Sequence, residues 1–154
     1  DYSIRTLAEN DLIMFEFIAA VHESLPAAWV KNYSVKTEDI EKSVQQFQSM
    51  HKTANILCCV AEVEGEIVSF IWAEVREQNP KAIQIISLWT HDAYRGKGIA
   101  TTLKMELERW GEQHPTAEEI HTVVSAKNKA MLALNKKLGY ETRYYKMVKT
   151  INGV

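Results

Sequence analysis

An apolar run from Ile83 to Trp89 stops at a polar turn holding Arg95, Gly96, Lys97 and Gly98, and a helical pattern starts at once, with Ile99, Leu103, Leu107 and Trp110 on one face. No other stretch restricts the fold as much. A strand must hand over to a helix through a short basic loop, so the chain has to be an α/β protein at this point. The loop also has a chemistry. The first N–H groups of a helix have no partner within it, and the helix dipole favours negative charge there. Gly96 and Gly98 permit positive φ and close approach to the backbone, and Arg95 and Lys97 add positive charge. The expected guest is a phosphate or pyrophosphate. An NTPase P-loop fits poorly, because Lys97 is followed by Gly98 and not by Ser or Thr. A dinucleotide-binding turn fits poorly too, because the three-glycine fingerprint is missing.

The 154 residues are enough for one domain, taken as 1–154, with its own core. Lys and Arg total 18 against 20 Asp and Glu, a net charge of -2. A general nucleic-acid binder carries a basic excess, so none is expected as a partner. No apolar run approaches membrane-spanning length and no signal-peptide pattern leads the chain, so neither membrane association nor export is expected. Cys58 and Cys59 are adjacent in an apolar run. Successive strand residues point to opposite faces, so the two cannot easily pair. They read as buried, reduced thiols of a cytoplasmic protein. His22, His51 and His114 have no metal-ligand spacing, and no metal is expected.

Along the chain, Ile4–Leu7 reads as a short strand, and Glu9 or Asn10 opens a helix that ends at Leu25-Pro26. A loop with Trp29 and Tyr33 follows. Thr37 is the expected N-cap of a second helix, with Glu38 and Asp39 in its first turn. Residues 56–63 and 66–76 form a hairpin about a Glu64-Gly65 turn. The Ile83–Trp89 strand, the glycine loop and a helix to about Gln113 come next. Then follow a strand over Ile120–Val124, a helix over Lys127–Leu138 with Gly139 beyond its end, and a final extended segment, Tyr140–Ile151. The predicted order is β-α-α-β-β-β-α-β-α-β, a mixed α/β (α+β) domain with a largely antiparallel front half.

Arg95-Gly-Lys-Gly-Ile-Ala100 fits the pattern [Gln/Arg]-x-x-Gly-x-[Gly/Ala], and Asn128-Lys-Ala-Met-Leu-Ala-Leu-Asn-Lys-Lys-Leu-Gly-Tyr140 is similar to Asn-x-x-Ala-x-x-Leu-Tyr-x-Lys-x-Gly-Phe. Together, in this order and spacing, they resemble the GNAT acetyltransferase superfamily over nearly the whole chain. The resemblance implies a splayed mixed sheet flanked by helices, with acetyl-CoA as cosubstrate between two strands. By the same carry-over, Leu88, Trp89 and Thr90 offer backbone groups to the pantetheine, as an added strand would find them. Gly96, Lys97, Gly98, Ile99, Ala100 and Thr101, with Arg95, cradle the pyrophosphate, and Asn128 bonds the pantetheine arm. One departure stands out. Asn135 occupies the position of a tyrosine often assigned to protonate the leaving thiolate. An amide has no titratable proton, though it can donate a hydrogen bond to sulfur.

The implied reaction is direct attack of an amine on the thioester carbonyl, in a ternary complex with a small-molecule or peptide amine. It needs a neutral amine, a polarised carbonyl and a stabilised thiolate; positioning alone can contribute about 7–11 kcal/mol. Glu74, Ser87, Thr90 and His121 are candidate bases, although Glu74 reads first as a solvent-facing strand residue. Tyr140, Tyr144 and Tyr145 are the downstream hydroxyls that stand in for the missing tyrosine. Trp29 and Tyr33 either wall the acceptor site or complete the core. The alternative function is an acyl-CoA-binding module with weak or no transfer activity, which Asn135 would permit. Homodimer pairing through the final strand is compatible with the fold.

Overall fold

The computed structural model describes residues 1–152, in two compact units, Asp1–Thr122 and Val123–Val154. The first unit contains strands β1 (Ser3–Thr6), β2 (Ile56–Val63), β3 (Glu66–Val75), β4 (Ala82–Thr90) and β5 (Glu119–His121), with helices α1 (Leu12–Ser24), α2 (Thr37–Lys52) and α3 (Ile99–Gln113). The sheet order is β1-β2-β3-β4-β5. The first four strands pair antiparallel, and β5 pairs parallel to β4. The β2–β3 hairpin turns at Glu64 and Gly65, both at positive φ (51° and 81°), as the predicted two-residue turn requires.

Both sheet faces are covered, which explains the near-continuous apolar runs of β2 and β3. On one face Leu57, Cys59, Ile71 and Ile83 pack with Ile99, Leu103 and Leu107 of α3. On the other, Cys58, Val60, Phe70 and Trp72 pack with Phe15 and Ile18 of α1 and Phe47 of α2. The Phe15 and Phe47 rings stack at 4.1 Å, and Trp72 meets Phe15 edge-on at 5.0 Å. The adjacent cysteines thus enter opposite cores, as their alternation predicts.

Two helix starts differ from expectation. Thr37 is the first residue of α2 rather than its cap; Lys36 takes the cap position without a side-chain bond, and Glu38 and Asp39 face the helix dipole instead. Helix α1 begins at Leu12, and the Asp11 carboxylate accepts from the Ala8 N–H at 2.7 Å in the turn before it.

The strands after the hairpin position the site. Register between β3 and β4 slips where Trp72 faces Ser87 and Ala73 faces Ile85, leaving Ile86 as an extra residue in a bulge. Strand β5 is shorter than predicted, pairing only Glu119, Ile120 and His121 with Ala82, Ile83 and Gln84. From Ile85 to Thr90 the outer edge of β4 therefore has no neighbouring strand among the described residues, and Thr122–Val124 lie beyond the ladder.

In the second unit, helix α4 (Lys129–Lys137) is capped by Asn128, whose Oδ1 accepts from the Met131 N–H at 3.1 Å. Gly139 follows at φ 93°. The predicted final strand over 140–151 is not formed: residues 140–150 have no regular structure. An extended segment becomes a strand only when an edge pairs its backbone, and here Tyr144, Tyr145, Met147, Val148 and Ile151 remain exposed.

Candidate functional site

The open edge of β4 has a definite phase. The His91 N–H donates to the Val68 carbonyl at 2.8 Å, so the backbone groups of His91 and Trp89 turn toward β3. Those of Leu88 and Thr90 turn outward, to the edge β5 has left. Of the three predicted backbone positions, Leu88 and Thr90 thus face the gap, while Trp89 is engaged with Phe70. The Trp89 indole packs on Phe70 at 5.6 Å. Ser69, fully buried, fastens the strand end: its Oγ donates to the Trp89 carbonyl at 2.7 Å and lies 2.8 Å from Thr90 Oγ1. Sequence reasoning missed Ser69, because a serine inside an apolar strand gives no signal of its own.

Beyond Thr90 the chain makes a tight turn. His91 Nδ1 accepts from the Ala93 N–H at 3.1 Å, a capping role rather than a catalytic one. Arg95 folds back, with Nε on the Thr90 carbonyl at 3.1 Å and Nη1 beside Asp92 at 3.0 Å. Gly96 and Gly98 sit at φ 74° and 80°. An added Cβ at either would meet nothing within 4 Å, so it is the backbone conformation that demands glycine. The exposed Lys97 places Nζ 5.3 Å over the Tyr94 ring.

The first N–H after the glycines to find an acceptor is that of Thr102, on the Gly98 carbonyl at 3.1 Å. Among the described residues, those of Gly96, Lys97, Gly98, Ile99, Ala100 and Thr101 make no hydrogen bond. Six successive donors at a helix N-terminus, beside a lysine, suit an anion of several oxygens. The start of α3 is also braced: Thr102 Oγ1 donates to the Gly98 carbonyl at 3.2 Å and lies 3.0 Å from the Tyr2 hydroxyl.

The acetyltransferase (GNAT) family profile matches residues 18–140. The chain belongs to the GNAT acetyltransferase family. Solved structures share the fold. One is described as a GNAT-family acetyltransferase of Staphylococcus aureus, 28% identical, with TM-score 0.68 over 78% of this chain and 98% of that one. A second is the PaiA N-acetyltransferase of Thermoplasma acidophilum in complex with coenzyme A, 19% identical, with TM-score 0.69 over 95% and 93%. A third is an aminoglycoside acetyltransferase from an uncultured soil sample in complex with sisomicin, 20% identical, with TM-score 0.68 over 98% and 97%. No curated protein matches this GNAT chain.

The expected catalytic residues are placed less simply. Glu74 is not solvent-facing; it is fully buried, because α2 covers that face of β3. Its Oε1 accepts from Gln46 at 3.2 Å and Arg76 at 3.1 Å, and its Oε2 from Gln46 at 3.3 Å and Trp72 Nε1 at 3.0 Å. A carboxylate with this many donors and no exposure is an anchor. Gln84 stands opposite Glu74 on one side and His121 on the other. Its Nε2 lies 3.3 Å from His121 Nδ1, and His121 Nε2 lies 3.1 Å from Glu119 Oε1. With Gln84 donating, the proton sits on Nε2 and both ring nitrogens are engaged. Ser87 is buried, and its Oγ has no partner among the described residues. In the second unit, Asn128 uses Oδ1 for its cap, Asn135 is buried with Oδ1 unbonded among the described residues, and Tyr145 is 84% exposed. Trp29 is 73% exposed and Tyr33 half-buried, so the first does not complete the core. Among the described residues no cluster of His, Cys, Asp or Glu could hold a metal, and no helix is long and apolar enough to cross a membrane.

Proposed function

We propose that the protein is an N-acetyltransferase that moves the acetyl group of acetyl-CoA to a primary amine by direct attack in a ternary complex. The observation that carries this reading is the junction of a strand edge with six successive amides, both without a partner among the described residues. A pantetheine arm contains two amides, which match the outward N–H and C=O of Leu88 and the outward N–H of Thr90, whose carbonyl Arg95 holds. The diphosphate fits the N–H groups of Gly96–Thr101, with Lys97 supplying charge. Asn128 has its amide Nδ2 left for the pantetheine, since capping uses only Oδ1.

The acetyl carbonyl then lies along β4, where an outward backbone N–H polarises it. The amine enters neutral. Glu74 and His121 are both engaged, so deprotonation passes through water rather than directly to either. We take residues 1–154 as one catalytic domain, since the family match crosses the boundary between the two units. The acceptor is a small molecule or peptide; an aminoglycoside acetyltransferase with this fold holds sisomicin. The reduced, buried thiols of Cys58 and Cys59 suit a cytoplasmic setting.

Steady-state turnover with acetyl-CoA over a panel of amines tests the proposal, alongside the melting shift produced by CoA. Turnover of at least one amine is expected. A CoA shift with no turnover on any amine would instead favour the acyl-CoA-binding module that Asn135 permits. No shift at all would remove both.

A further inference from the structure

Ser87 stands in the stretch of β4, Ile85 to Thr90, that has no neighbouring strand on its outer edge among the described residues. Regular alternation would give it the side of Ile83 and Ile85, which pack in the α3 core. The bulge prevents this. Ile86 is the extra residue, and Ser87 pairs with Trp72. Directly opposed strand residues share a face, and Trp72 belongs to the core under α1 and α2. The Ser87 side chain is therefore on that face, as is Trp89 two residues on. It is only 5% exposed, and its Oγ has no hydrogen-bond partner among the described residues. By contrast, the buried Ser69 Oγ meets both the Trp89 carbonyl and Thr90 Oγ1. A buried hydroxyl without a partner is costly, and alanine would fill the place at less cost.

Its position along the strand matters as much. The amides of Gly96–Thr101 follow Thr90, so an arm whose diphosphate sits there runs from Thr90 toward Leu88. An ethyl spacer joins the last pantetheine amide to the sulfur, and the acyl carbon comes next. That distance is about one to two strand residues at roughly 3.3 Å each. Counted on from Leu88, the thioester reaches Ser87 and Ile86, at the bulge.

We infer that the Ser87 hydroxyl donates a hydrogen bond to the thioester carbonyl, a bond that acetyl-CoA can accept and free CoA cannot. The inference deepens the acetyltransferase reading above and rests on it. The amine nitrogen forms its bond to the carbonyl carbon while the C=O π pair moves onto oxygen, where Ser87 and an outward backbone N–H hold the charge. The pair then returns, and the carbon–sulfur bond breaks with its electrons on sulfur. The proton lost by nitrogen passes through water to the thiolate. Ser87 keeps its own proton throughout, and the products are the amide and free thiol. Trp72 and Trp89 make that face apolar, where a hydrogen bond is stronger than in water. The same contact sets substrate apart from product, since free CoA has no acyl carbonyl.

The test uses Ser87→Ala in the full chain. Calorimetry compares acetyl-CoA with CoA, and infrared difference spectra follow the thioester carbonyl stretch of bound, carbonyl-labelled acetyl-CoA. Wild type is expected to bind acetyl-CoA more tightly than CoA. In Ser87→Ala, acetyl-CoA affinity falls about 2- to 10-fold, CoA affinity holds, and the carbonyl stretch rises toward its value in solution. With an amine substrate, kcat falls on the order of 10²-fold. Ser87→Thr keeps the hydroxyl and is expected to keep the lowered stretch. An equal ratio of acetyl-CoA to CoA affinity and an equal stretch in alanine and wild-type proteins overturn the inference. So does a wild-type stretch no lower than in solution, which needs no variant. Wild-type protein that binds neither acetyl-CoA nor CoA overturns the acetyltransferase reading instead, so the two failures are distinct.

Discussion

Trp72 and Glu74 lie two residues apart on one face of β3, and the Trp72 indole Nε1 donates to Glu74 Oε2 at 3.0 Å inside the protein. With Gln46 and Arg76 added, this bond ties α2 to the sheet beneath it. A buried acid here is held by its donors rather than kept available for chemistry.

Replacing Glu74 by Leu leaves the Trp72 and Gln46 donors without an acceptor. A stability loss on the order of 3 kcal/mol is expected from urea unfolding, since each buried unsatisfied donor costs about 1–3 kcal/mol. CoA affinity should hold. A loss of affinity or turnover with stability intact would return Glu74 to the list of catalytic groups.

Gly98 separates conformation from charge. Gly98→Ala meets no steric neighbour but must hold φ 80°, which costs about 1–2 kcal/mol of stability. Gly98→Asp adds a negative group beside the six donors. Calorimetry should show CoA binding weakened more than tenfold, or more than about 1.4 kcal/mol, with the circular dichroism of the folded protein retained. Equal CoA affinity in Asp and wild-type proteins would remove the anion cradle.

Asn128 has two separable jobs. Asn128→Asp keeps the oxygen that caps α4 and deletes the amide donor, whereas Asn128→Ala loses both. Asp should preserve the melting temperature and lower CoA affinity severalfold. Ala should also cost about 1 kcal/mol of stability. If Asp binds CoA as wild type does, Asn128 is a helix cap alone.

Burial lowers the pKa of His22, His51 and His114 below the ordinary 6.5. The unfolded chain then binds protons that the folded one refuses. Stability is fully present above pH 6.5 and is lost as pH falls through the folded-state values. Urea midpoints should decline below pH 6.5, in the range above about pH 5 where carboxylates stay charged. His22→Gln should make that decline shallower. An unchanged slope would show that His22 is as accessible to protons as in the unfolded chain.

Local signals with a short reach were legible. The strand, glycine loop and helix from Ile83 to Trp110, the Glu64-Gly65 turn and the opposite faces of Cys58 and Cys59 all follow from spacing alone. What failed depended on a distant partner. Glu74 reads as an outward residue by alternation, but alternation carries no such meaning once both faces of β3 are covered. The extent of β5 rests on which β4 residues it pairs with, and no short pattern announces either that limit or the extra residue Ile86 that shifts the β3–β4 register. Residues 140–151 have the composition of a strand without the pairing that makes one.

The short β5 carries a further consequence. A strand edge with free N–H and C=O groups is a template for any extended chain, and natural sheets usually blunt such edges. Among the described residues the stretch from Ile85 to Thr90 is left without a neighbouring strand, as the proposed acyl-CoA groove requires. Between turnovers, when nothing fills it, the same edge is the place where self-association would begin. Its resistance to clumping should therefore follow how much CoA surrounds it, so that a depleted pool costs the cell soluble enzyme as well as product.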